Sequence, residues 1–298
     1  TTNYNGATAT ADFTIAKADI NPTVSLEGWA YGAAAKTPVV TGNTGNGTVT
    51  YTYATKGSSN FSATVPTNAG NYTVKATIAA TTNYNGATAT ADFTIAKAVP
   101  TYTVPTGLYA TYGDTLADVA LPDGWAWVDD TTNVGNAGTN TFKANFTPAD
   151  TANYNTVENV DVTVKVNQAE SVPATVEANE IIFNGEEQEL ITVTGEAVGG
   201  EMQYALGEDA ENAPEEDWDT EIPTGIEAGT YYVWYKVAGD DNHNDSEPAC
   251  VEATILKTGW HNIDGDWYFY DEDGTMHTGW LKSPYSGKWF YLDEETGI

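Results

Sequence analysis

The sequence predicts an all-β (mainly β) protein, a tandem of small sandwich-type domains followed by a β-hairpin solenoid. Three observations predict it. Gly, Thr, Asn, Val and Tyr are abundant and no amphipathic helical stretch of useful length occurs, a composition of strands and turns. An 18-residue segment returns unchanged after 80 residues, which is a domain-sized tandem duplication. An aromatic unit of about 20 residues occurs twice at the end of the chain, too short to bury its own rings.

The duplicated segment, TTNYNGATATADFTIAKA, fills 1–18 and again 81–98. Residues 1–18 therefore read as the last strand or strands of a truncated repeat, and the chain as a fragment of something longer. Residues 19–98 form the first complete β-rich repeat. A looser pattern extends the series: NAGNYTVKATIAATTNYN at 68–85 matches NAGTNTFKANFTPADTANYN at 136–155 and EAGTYYVWYKVAGDDNHN at 227–244. Each opens on an Ala-Gly turn, runs through an alternating strand and ends on an Asn-aromatic-Asn or Asn-His-Asn turn. Gly70 to Tyr84 spans 14 residues, Gly138 to Tyr154 spans 16, and Gly229 to His243 spans 14. That spacing predicts one fold used three times, with further domains at 99–169 and 170–256.

Upstream of each Ala-Gly turn stands another corner, at Tyr31-Gly32, Tyr112-Gly113 and Asn184-Gly185. The stretches 49–54, 72–78, 201–206 and 231–237 alternate polar and apolar residues, as half-buried strands do. Each domain is expected to hold about five to seven short strands. Residues 114–122 suit a single helical turn.

The formal net charge of -31, with no Arg, makes nucleic acid or an anionic membrane a poor partner. Residues 1–98 carry four acids and five Lys, whereas 170–256 carry twenty-two acids against Lys236 alone. This break marks a domain boundary, and a solvated acidic surface is its plain reading. Cys250 is the single cysteine, so no intrachain disulfide forms. No stretch reads as a signal peptide or membrane span.

Residues 257–298 hold the aromatic unit twice. Gly259-Trp260 returns as Gly279-Trp280, and WYFY at 267–270 returns as WFYL at 289–292; each copy closes on an acidic turn. Period 2 puts Trp267 and Phe269 on one strand face with Tyr268 and Tyr270 on the other, and gives Trp289 and Tyr291 a common face. The Trp260–Trp267 gap is seven residues and the Trp280–Trp289 gap nine, so 282–287 contains an insertion.

Residues 1–256, through YGDTLADVALPDGW and the Ala-Gly and NYN turns, resemble the Ig-like and MBG/YDG-type repeats of Gram-positive surface proteins. The resemblance implies extracellular stalk or spacer domains. The pattern GW-x(6)-WYFYDEDG-x-M-x-TGW resembles the cell-wall-binding repeats of choline-binding and glucan-binding proteins. It implies an aromatic cage for the choline of teichoic acid, with Trp260 and Trp267 from the first copy, Trp280 and Tyr291 from the second, and Met276 as lining. A quaternary ammonium is drawn to aromatic faces by the ring quadrupole. A glucan sugar stacking on the same rings is the rival ligand.

The expected role is thus non-catalytic: a secreted protein held at the cell wall and cell surface. Two alternatives stand beside it. One is an adhesin whose Ig-like domains bind host glycan or protein; the other is a set of accessory modules of a carbohydrate-active enzyme. No catalytic residue, metal ligand or cofactor is assigned. His243, His261 and His277 stand beside no nucleophile elbow, and no phosphate loop or dinucleotide fingerprint occurs. The acid-rich runs at 240–245 and 264–274 match no calcium loop, and turn chemistry accounts for them. Lys75, Lys143 and Lys236 occupy comparable strand positions, where an outward-facing lysine is more usual than an isopeptide cross-link.

Overall fold

The structure is a computed structural model that describes residues 5–298. The first four residues of the duplicated segment lie outside the described residues. Cα proximity divides the chain into two compact units. One comprises Thr1–Pro105, Leu121–Val128 and Phe142–Val162; the other comprises Thr106–Ala120, Asp129–Thr141 and Thr163–Ile298.

The first repeat contains β1 (Thr23–Ser25), β2 (Trp29–Ala30), β3 (Val39–Thr41), β4 (Val49–Thr55), β5 (Gly70–Ile78) and β6 (Ala87–Ala96). Four of these make a sheet in the order β2-β6-β5-β4, and β1 pairs with β3 separately. The alternation read at 72–78 places Val74, Ala76 and Ile78 inside, each at most 2% exposed. Trp29 stacks on Phe93 at 5.2 Å and Tyr72 stacks on it at 5.7 Å. Val24 and Leu26 close the core from the β1 side.

The duplicated segment has two fates. In its second copy Phe93 and Ile95 are 5% and 1% exposed; in its first, Phe13 and Ile15 are 85% and 84% exposed. Residues 5–17 form no strand, although the same sequence forms β6 further on. A strand needs ladder partners: β6 lies between β2 and β5, whereas no described residue pairs with 5–17.

The second repeat contains β7 (Leu108–Thr111), β8 (Trp125–Trp127), β9 (Gly138–Phe146) and β10 (Val157–Asn167), ordered β7-β10-β9-β8. It has four strands where five to seven were expected, because 112–124 and 128–137 run mainly as turns. The helical turn expected in 114–122 is a 3-10 turn at Leu116–Asp118. The Thr115 amide and hydroxyl both donate to the Asp118 carboxylate at 2.9 Å. The amide bond, then the hydroxyl bond, holds that carboxyl below its usual range.

After the linking strand β11 (Ala169–Glu170), the third repeat holds β12 (Thr175–Ala178), β13 (Glu180–Ile182), β14 (Gln188–Glu189) and β15 (Ile191–Thr194). It continues with β16 (Gly200–Gly207), β17 (Thr224–Gly225), β18 (Gly229–Gly239), β19 (His243–Asn244) and β20 (Ala249–Leu256). Its main sheet is β13-β20-β18-β16, flanked by the pairs β12-β15 and β14-β17. Leu190, Ile191, Val233 and Ile255 fill the core at 1% exposure or less.

All three main sheets close in the same way. A short early strand runs parallel to the last one: Trp29 beside Ile95, Leu108 beside Val164, Ile181 beside Ile255. Parallel neighbours need a long connection, and here the rest of the domain supplies it. The lysines at comparable strand positions have separate surroundings. Lys75 lies over the Phe61 ring at 4.3 Å, Lys236 lies over Trp218 at 4.5 Å, and Lys143 pairs with Asp161 at 2.6 Å.

Candidate aromatic ligand site

The tail forms two antiparallel hairpins. β21 (Gly259–Ile263) pairs with β22 (Asp266–Tyr270), and β23 (Gly279–Lys282) pairs with β24 (Trp289–Leu292). The Gly-Trp dipeptide has a backbone reason. Gly259 and Gly279 sit at φ +77° and +81°, the left-handed region that glycine enters without Cβ strain, and the tryptophan starts the strand from there. Gly279→Ala is expected to cost about 1–2 kcal/mol, read as an earlier loss of near-UV tryptophan dichroism on heating.

Register decides which rings meet. Trp260 lies opposite Phe269 and Asn262 opposite Trp267, so Trp260, Trp267 and Phe269 share one face of the first hairpin. In the second hairpin Leu281 lies opposite Phe290, and Leu292 lies two residues further along the same strand face. The two faces pack together: Phe269, Leu281 and Leu292 are buried as one cluster with Trp260 against it. Trp260 meets Phe269 edge-on at 5.2 Å and Phe290 at 5.0 Å. Each hairpin alone is too small for a core, so this shared cluster holds the pair.

Beside the cluster lies an open groove of about 750 Å³. Trp260, Gly265, Asp266 and Trp267 line it from the first hairpin. Ser283, Tyr285, Ser286, Phe290, Tyr291 and Leu292 line it from the second, with Ile298 at one side. Of the residues expected in the cage, the structure thus brings Trp260, Trp267 and Tyr291 together. Met276 and Trp280 lie outside the lining. Leu281 faces inward, so its neighbour Trp280 faces the other way, edge-on to Tyr291 at 5.2 Å and 68% exposed. Met276 lies where a side chain at Gly297 would otherwise sit.

Sequence reading missed Phe290, Tyr285 and the two serines. The insertion at 282–287 carries three of them: it folds as a turn in which the Gly287 amide donates to the Ser283 carbonyl at 2.9 Å, and it sets Tyr285 into the groove wall. An aromatic inside the insertion of the second aromatic unit was the available signal.

The groove suits a cation. Residues 257–298 carry eight acids and three Lys, and Asp266 stands in the lining. The Tyr291 hydroxyl donates to Glu294 at 3.3 Å, and the Glu294 charge pushes the phenol above its usual range. In each acidic turn one aspartate carboxylate is bonded within the turn itself. Asp273 accepts from the Thr275 amide at 3.0 Å and hydroxyl at 2.6 Å, and Asp293 accepts from the Glu295 and Thr296 amides at 3.0 and 2.9 Å.

Fold and site together define a class: tandem all-β domains ending in stacked aromatic hairpins with a cation-suited groove. Residues 257–298 match the family model described as "Choline-binding repeat". No curated protein matches the chain. Among solved structures, "Sidekick-1 immunoglobulin domains 1-5" aligns at 11% identity and a TM-score of 0.28, over 80% of this chain and 58% of that one. The chain thus spans a little over half the length of that structure. No helix among the described residues is long and apolar enough to cross a membrane.

Proposed function

We propose that this chain is a non-catalytic part of a secreted bacterial surface protein. Its MBG/YDG-type and Ig-like repeats act as spacer domains. The tail fastens the protein to the cell wall by holding choline of teichoic acid. The observation that carries this reading is the groove itself, lined by Trp260 and Trp267 of one hairpin and by Phe290 and the edge residue Tyr291 of the next. Each ring face that a trimethylammonium group reaches contributes roughly 0.5–2 kcal/mol, and two or three faces suffice for reversible attachment. A polyvalent wall polymer multiplies that weak affinity when several sites engage.

Chromatography tests the reading. The chain is expected to be retained on a choline-bearing resin and released by free choline. Retention on a glucan resin that choline does not reverse would replace choline with a sugar. Passage through both would remove the attachment role.

A further inference from the structure

The three sequence landmarks that recur along the repeats — the corner aromatic, the Ala-Gly turn and the Asn-aromatic-Asn turn — meet at the joints between consecutive domains. Between the first and second repeats, the Ala98 amide donates to the Asn153 carbonyl at 2.9 Å, and the Asn155 amide donates back to the Ala98 carbonyl at 2.9 Å. The Ala69 amide, at the Ala-Gly turn of the first repeat, donates to the Asn153 side-chain oxygen at 2.8 Å. Tyr31, the corner residue of the first repeat, meets the Tyr154 ring edge-on at 5.3 Å.

The next joint repeats this with other residues. The Ala169 amide donates to the Asn242 carbonyl at 2.9 Å, and the Ala137 amide donates to the Asn242 side-chain oxygen at 2.8 Å. Tyr112 meets the His243 ring at 5.1 Å. The backbone part occurs once more, earlier in the chain, where the Ala18 amide donates to the Asn83 carbonyl at 2.9 Å. Asn153 is 7% exposed, so its amide group is committed to this contact and to Asp150 rather than to water.

The geometry assigns these motifs to an interaction surface: one end of the first and of the second repeat is a socket, and the partner it fits is the Asn-aromatic-Asn or Asn-His-Asn turn of the following repeat. The corner ring, the Ala-Gly amide and the alanine after the last strand make the socket. The turn supplies a side-chain oxygen, a carbonyl and a ring. Three separate attachment points at one joint restrict the hinge freedom that linked domains otherwise have. This assignment is independent of what the tail binds.

The test uses the full chain with Cys250→Ser and spin labels on cysteines at the exposed positions Asn60 and Glu158. A narrow label-to-label distance distribution is expected. In Asn153→Ala/Tyr154→Ala it broadens at least about twofold as hinge motion returns. Ala69→Pro, which removes the donor from the socket side alone, broadens it as well. A distribution in the parent as broad as in the double variant would overturn the assignment, as would wild-type width in both variants. Amide exchange at Val74 and Val162 reports whether the repeats stay folded; where the double variant has lost its core, Ala69→Pro decides alone.

Discussion

Replacing Trp267 with alanine is expected to weaken choline binding by about 2- to 30-fold, the loss of one cation–π wall. The residue suits the test because it is 56% exposed and stands outside the buried cluster that joins the hairpins. The fold of the tail is therefore retained. Trp260 does not separate the two roles, since its ring packs on both Phe269 and Phe290. Its removal would loosen the hairpin pair as well as the groove. Titrations followed by tryptophan fluorescence, on parent and Trp267→Ala, check the prediction. Equal affinity in the two would place the ligand elsewhere.

Phe93→Ala is expected to destabilise the first repeat by about 3–5 kcal/mol, while Phe13→Ala changes stability by less than about 0.5 kcal/mol. The two phenylalanines stand in identical 18-residue sequences. Phe93 is buried against Trp29, Tyr53 and Tyr72, and Phe13 is bare. Truncating Phe93 leaves a cavity in a packed core; truncating Phe13 removes surface already in water. Amide exchange at Val74 and Ala76, buried on the neighbouring strand, reads the difference. Equal exchange in the two variants would mean that burial of Phe93 does not hold this repeat together.

The same pair of segments shows what the sequence carried and what it left out. Strand periodicity located β4, β5, β16 and β18 because alternation over six or seven residues is a strong local signal. The parallel closure of each sheet had no such signal. It depends on strands of two to four residues such as β2, β7 and β13, too short to show a period. The corner motif was legible as Tyr-Gly in two repeats, but Asn184-Gly185 misaligns the third by one residue. Backbone bonding makes Phe183 the equivalent of Tyr31 and Tyr112, since its amide bonds the Leu256 carbonyl as theirs bond Ala96 and Asn167.

For the site, the sequence supplied ring identities but not their facing. Trp280 looked equivalent to Trp260, and within its own hairpin it is. Period 2 then turns the two tryptophans in the same sense relative to their own hairpins, so only Trp260 faces the groove between them. The inward residues of the second hairpin, Leu281 and Leu292, carry no binding signature and were invisible as neighbours of a site. The insertion that broke the repeat spacing is the segment that brings Tyr285 to the groove wall.

The most direct measurement of the central claim is the movement of tryptophan indole N–H resonances on addition of choline to the isotopically labelled chain. Trp260 and Trp267 are expected to shift together along one saturable curve, with Trp29 and Trp234, buried in the repeat cores, unmoved. The absence of any shift, or shifts confined to Trp280 and Trp289 on the outward face, would contradict a choline site in the groove between the hairpins.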